Sequence, residues 1–414
     1  MKTKMILPTL LTVLTLAACQ AKSETGATVS SQTTVATSSN QATVTATSTT
    51  TGNTTYFSEK DLDASYDAAT ASTIQLNGSS ATVTGTGVSV SGSVVKITQA
   101  GTYIVSGSSQ GVQLLVEAAD TDDVQIVLNG VTMTGTDALI AATSADNVYL
   151  TLADGTHNKL ADSANRTATD YSAAIYSKKD LTINGTGSLE VEGNYNNAIK
   201  SNDDLKIAGG TYTITAVKHA LSANDALNIT GATMTLTATE DAIHSDNDED
   251  TSLGNLYIEN SKLTITAGDD AIHATNELVI DSGTIDIQSS TEGIEGKVIT
   301  INGGTIALNA TDDGINATDW TKSSDSMMVM DGVSLTINGG DITINMAAGD
   351  TDAIDSNGDL TITGGNLTIT GQSAFDFDGT VTHTGGTITV NGQQMTDITN
   401  SMMMGGPGGG MPRR

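Results

Sequence analysis

Acidic residues recur in a fixed phrase, and that phrase is the part of the sequence with the most chemistry to offer. It reads Glu240-Asp241-Ala242-Ile243-His244, Asp269-Asp270-Ala271-Ile272-His273, Thr291-Glu292-Gly293-Ile294-Glu295, Asp312-Asp313-Gly314-Ile315-Asn316 and Thr351-Asp352-Ala353-Ile354-Asp355. Weaker copies stand at Asn197-Ala198-Ile199-Lys200 and His219-Ala220-Leu221-Ser222. Carboxylates at this density have two uses: holding a hard divalent cation through oxygen, or acid–base work on a glycosidic bond, for which Asp269, Asp270, Asp312 and Asp313 are the candidates.

The spacing says what must position them. Between the apolar anchors Ile199, Leu221, Ile243, Ile272, Ile294, Ile315 and Ile354 the steps are 22, 22, 29, 22, 21 and 39 residues. A period near 22 with two expansions is the mark of a solenoid. Each unit carries short alternating runs such as Leu205-Lys206-Ile207 and Tyr212-Thr213-Ile214, punctuated by Gly and Asn. That is strand and turn chemistry. The expected fold is all-β, a right-handed parallel β-helix with three short strands in each rung of about 22 residues.

Stacking then creates an electrostatic problem. Equivalent residues on successive rungs lie about 4.7–4.9 Å apart, so Asp241, Asp270, Glu292, Asp313 and Asp352 form a column of like charge. Such neighbours raise one another's pKa unless something positive lies among them. Between Glu240 and Asp355 the only Lys or Arg residues are Lys262, Lys297 and Lys322. Ca²⁺ between rungs is the expected remedy, with Glu240, Asp269 and Asp312 as further ligands beside the column. The competing reading leaves these carboxylates on turns in water, screened by salt.

The two expansions leave the helix after the same strand, three rungs apart. The first carries Asp246, Asp248 and Asp250 in alternation, enough to wrap one Ca²⁺, although it lacks the Gly and distal Glu of an EF-hand. The second carries Trp320, the single tryptophan, which can stack on a sugar or pack its own loop. His244, His273, Glu295 and Asn316 share an outward column with Lys200 and Asp355, and with Trp320 they are the candidate ligand-binding residues. An ordinary polar outer face is the alternative.

Elsewhere the chain is less informative. Residues 1–18, with Lys2, Lys4 and an apolar run, read as a secretory signal ending before Cys19, the only cysteine. The Leu16-Ala17-Ala18-Cys19 ending resembles a bacterial lipobox, which makes Cys19 the lipidated residue and the membrane a partner through that lipid alone. Residues 19–55 are a Ser/Thr-rich tether. Residues 56–120 read as an N-terminal β cap with the first rungs, 121–395 as the parallel β-helix, and 396–414 as a Met/Gly-rich tail. The loop carrying Arg166 interrupts an early rung. The net charge is −30, and −32 once Lys2 and Lys4 leave, from 15 basic and 47 acidic residues. That charge excludes nucleic acid as a partner and repels acidic polysaccharide unless a cation bridges the two. With 3% aromatic residues a broad ring platform for crystalline cellulose is not available.

Tyr56–Leu62, Val124–Val131, Asp180–Ser188, Asn194–Ile199 and Asp241–Asp250, in that order, resemble the bacterial carbohydrate-binding domain family of secreted β-helix proteins over about residues 56–395. The resemblance implies a pectate-lyase-like fold containing Ca²⁺, and binding of cellulose or of acidic sugars such as polygalacturonate. Of the ligands it carries over only Asp241, Asp246, Asp248 and Asp250. The expectation is a monomeric, extracellular, lipid-anchored protein that binds polysaccharide. Two alternatives stay open: a Ca²⁺-dependent lyase with Lys200, Lys218 or Lys297 as base, and a wall spacer or adhesin without a sugar ligand.

Overall fold

The computed structural model describes residues 50–167, 169–322, 329–349 and 351–400. The signal segment, Cys19, most of the stretch read as a tether, and all but the first few residues of the Met/Gly-rich tail lie outside the described residues. Among the described residues the fold is all-β: one sheet of 36 strands and a single four-residue helix, Glu59–Leu62. Most strands pair in parallel with the strand three further along the chain, as Asn197–Ser201 does with Leu221–Ala223 and that strand with Ile243–Ser245. The result is a β-helix-like solenoid.

Register follows the apolar anchors. Ile199 lies opposite Leu221, then in turn come Ile243, Ile272, Ile294, Ile315, Ile354 and Phe375. Every member of this column is almost wholly buried. A second column runs Leu205, Leu227, Leu256, Leu278, Ile299, Leu335 and Leu360, and a third Tyr212, Met234, Leu263, Ile285, Ile306, Ile342 and Leu367. Each rung thus places apolar side chains from three strands on one continuous core, at roughly 1.5–3 kcal/mol per fully buried Leu or Ile. Slipping one strand by a residue turns its apolar set outward, so the core locks every outward residue into register as well.

At its start the sheet is less regular. Ser72–Gly78 and Ser80–Thr84 form an antiparallel pair, as do Val88–Ser91 and Val94–Ile97, before parallel pairing takes over. Ahead of them residues 53–65 run along one side of the solenoid. Asn53 N–H donates to Glu259 at 2.7 Å, the Tyr56 ring stacks on Tyr257 at 3.6 Å, and buried Asp61 accepts from Thr182 at 2.7 Å. Packing therefore begins inside the stretch that composition assigns to the tether, because Thr51 and Asn53 find partners far along the chain.

Candidate functional site

The recurring phrase sits where a turn enters the first strand of each rung. Its two acids divide. The leading ones, Glu240, Asp269 and Asp312, are exposed, whereas Asp241 and Asp270 are buried and Asp313 is half-buried. Backbone amides fix the inner set: Asp270 N–H donates to Asp241 at 3.0 Å, and Asp352 N–H donates to Asp313 at 3.0 Å. Asp241, Asp270, Glu292, Asp313 and Asp352 therefore follow one another in register, two residues before each anchor.

One residue after each anchor lies the second column, Ser222, His244, His273, Glu295, Asn316 and Asp355. It is not an ordinary solvated face, since His273, Glu295 and Asn316 are buried. Here the two columns mesh. His244 Nδ1 lies 2.7 Å from Asp241, His273 Nδ1 3.2 Å from Asp270 and 3.6 Å from Glu295, and Asn316 donates to Glu292 at 3.0 Å. Oxygens of Asp270, Glu292 and Glu295 lie within 4.8 Å of one another.

His219 joins the site from the preceding rung. It occupies the register position of Asp241, and its ring stacks 4.0 Å from His244, which stacks 5.1 Å from His273. Trp320 tilts over the far end, 5.9 Å from His273, with its own face half open. Buried Asp319 secures that loop through Lys297 at 3.3 Å and Lys322 at 2.9 Å. The sequence marks His219 only as part of a weak repeat copy; its register with Asp241 was the available signal.

On the amino-terminal side of the first insertion lies a groove of about 520 Å³. Lys200, Lys218, His219, His244, Asp246, Asp248 and Glu249 are among the residues that line it. Asp246 is held by Thr275 at 2.5 Å. Asp250 turns to Ser252 instead, accepting from its hydroxyl at 2.6 Å. Arg166 lies apart, paired with Asp162 at 3.3 Å and Asp137 at 3.1 Å.

A profile of the carbohydrate-binding domain-containing protein family matches residues 91–332 and 279–379. The chain belongs to that family. A carbohydrate-binding domain-containing protein of Acetivibrio thermocellus is 42% identical over 136 residues, 31% of this chain and 48% of that protein, so the chain spans about half the length of this relative. A solved structure of a polysaccharide lyase-like protein from C. thermocellum, a gadolinium derivative, aligns with TM-score 0.46 and 25% identity over 76% of this chain and 99% of that one.

In this carbohydrate-binding domain the meshed columns carry strongly shifted acids. Burial, then Glu292 and Asp270, push Glu295 up to about 11. Burial leads again for Asp355, about 8, for Asp313, about 7, and for Asp270, about 6. Asp241 goes the other way: burial raises it, but the hydrogen bond from His244 brings it below the usual carboxylate range. His219 falls to about 3 through burial and the neighbouring His244, so its 3.6 Å approach to Asp241 joins a neutral ring to a carboxylate. Burial and Lys218 lower the Lys200 amine, which forms no ion pair among the described residues.

Proposed function

We propose that this protein is a cell-surface carbohydrate-binding lipoprotein, anchored through Cys19 and monomeric, that holds acidic polysaccharide such as polygalacturonate in the Lys200–Glu249 groove with Ca²⁺ as the bridge. The solenoid is a right-handed helix with a rung of about 22 residues and an N-terminal β cap over its first turn. The observation that carries the reading is the groove itself, about 520 Å³ with a mostly polar lining that includes Lys200 and Lys218 together with Asp246, Asp248 and Glu249. A sugar with hydroxyls and a carboxylate meets an acceptor or a cationic donor at each side.

Ca²⁺ suits the oxygen donors. Asp270, Glu292 and Glu295 converge, Asn316 Oδ1 beside them is buried without a partner, and Glu295, pushed up to about 11, holds a proton that a cation displaces. Asp241, Asp313 and Asp352 continue the column on either side, and Asp246 with Asp248 offers the sugar-facing oxygens. The ion supplies positive charge that the chain lacks, both within the column and toward an anionic glycan.

Retention on immobilised polygalacturonate in Ca²⁺, lost in EDTA, is the expected result; no retention on any glycan overturns the reading and leaves a spacer or adhesin. The lowered amine of Lys200 favours one second reading, a lyase in which it removes the proton beside the uronate carboxylate. That activity appears as an ultraviolet-absorbing unsaturated product when polygalacturonate and Ca²⁺ are supplied.

A further inference from the structure

Two clusters in the site are not oxygen-only, and one of them holds two imidazoles. Nitrogens of His219 and His244 and an oxygen of Asp241 lie within 4.8 Å of one another. Asp241 Oδ2 sits between the two rings, 2.7 Å from His244 Nδ1 and 3.6 Å from His219 Nδ1. The His219 side chain is 5% exposed, and its Nδ1 is buried without a hydrogen-bond partner while facing that carboxylate. A donor set of two imidazoles and one carboxylate is unlike the three-carboxylate group of Asp270, Glu292 and Glu295 two rungs on, and richer in nitrogen than the Asp241, Asp270 and His273 group between them. Imidazole suits Zn²⁺, Co²⁺, Ni²⁺ and Cu²⁺, whereas Ca²⁺ takes oxygen.

What surrounds the three donors points the same way. Histidines that bind metal through one nitrogen direct the other to a carboxylate or carbonyl. Here His219 Nε2 lies 3.7 Å from Glu240 and His244 Nε2 lies 3.7 Å from Asp246. Both rings thus turn Nδ1 to the shared centre and Nε2 to an outer acid. The backbone of His219 is fixed, because its main-chain N–H donates to Asn197 Oδ1 at 3.2 Å. We infer that His219, Asp241 and His244 form a site for an imidazole-preferring divalent transition metal of the Zn²⁺ class, which shares Asp241 with the Ca²⁺ column and adds two imidazoles to it.

Coordination numbers agree. Three protein donors leave a tetrahedral ion one position short, the pattern of open rather than structural zinc sites. His219 and His244 both line the groove, so water or a ligand oxygen entering the groove can reach an ion they hold. The rings lie within 3° of parallel, and an ion must lie in the plane of each imidazole that binds it. One ring must therefore leave the stack. His244, with 19% of its side chain exposed against 5% for His219, is the ring with room to swing, and binding separates the pair.

The test uses the full chain, stripped with EDTA, dialysed into saturating Ca²⁺ and titrated with Co²⁺ alone. The expected result is one equivalent of Co²⁺ with visible d–d bands of a tetrahedral nitrogen-containing site, displaced by Zn²⁺ and not by further Ca²⁺. His244→Ala and His219→Asn each weaken binding by at least about 100-fold, since even outer partners of metal ligands cost about 10–100-fold. His157→Ala, an exposed histidine on the strand His157–Ala161 outside the cluster, leaves it unchanged. Co²⁺ binding that survives both substitutions, or that Ca²⁺ removes, overturns the inference as binding to surface carboxylates only. Circular dichroism verifies folding; if His244→Ala does not fold, His219→Asn, which keeps a polar side chain, decides. Glycan retention measured in Ca²⁺ without Co²⁺ is independent of all these outcomes.

Discussion

Glu295→Gln, measured in EDTA, isolates what the stacked acids do to the fold. Glu295 is buried against Glu292 and Asp270 and is pushed up to about 11, whereas an unfolded glutamate titrates near about 4.3. Between those values the folded chain binds one proton more than the unfolded chain at this position. The sign is then fixed: stability is greatest in acid and falls as pH rises, by about 1.4 kcal/mol per pH unit from this one group. From about pH 5.5 to 7.5 that amounts to about 3 kcal/mol. Glutamine keeps the shape and cannot titrate, so the variant loses about that much less over the same interval. Asp355 and Asp313 keep a residual slope in it, because they reach about 8 and about 7. Urea unfolding followed by circular dichroism at several pH values gives both curves. Parallel curves, or a wild type that gains stability as pH rises, refute the reasoning. Saturating Ca²⁺ replaces the protons and flattens the wild-type curve.

Other outcomes follow from the same geometry. Ile294→Ala, at 0% exposure in the central column, costs about 2–5 kcal/mol in urea unfolding. Gly185→Ala costs at least about 1–3 kcal/mol, because its φ is +102° and an added Cβ meets Leu152 O at 2.3 Å. Tyr56→Ala removes the 3.6 Å stack on Tyr257, worth about 0.5–1.5 kcal/mol beyond area. It speeds proteolysis near residues 50–57 and leaves the melting temperature of the solenoid unchanged.

The solenoid was legible because its signal is repeated: each anchor from Ile199 to Ile354 is an independent instance of one phrase, and the register of the strands reproduces the spacing. The column Asp241, Asp270, Glu292, Asp313 and Asp352 was legible for the same reason. What the phrase does not encode is which of two adjacent acids turns inward. Glu240 and Asp241 look alike in sequence, but the amide of Asp270 reaches only Asp241. Nor does periodicity show how deep an outward column lies. His273 packs among Asp270, Glu295 and His244 of the repeat, and the Trp320 ring from outside it lies 5.9 Å away. The groove lies on the amino-terminal side of the first insertion, over Lys200 and Ser222, whereas spacing drew attention to the strip between the insertions. His219 lacked the acid that marks its column, so the repeat concealed it.

Calorimetric titration of the full chain with an oligogalacturonate tests the central claim most directly. In Ca²⁺ the wild type binds, Lys200→Ala binds about 10–100-fold more weakly, as loss of a charged hydrogen bond of about 1.5–3 kcal/mol requires, and EDTA abolishes the heat. Equal affinity in wild type and Lys200→Ala, or binding undiminished in EDTA, contradicts a Ca²⁺-bridged glycan held in this groove.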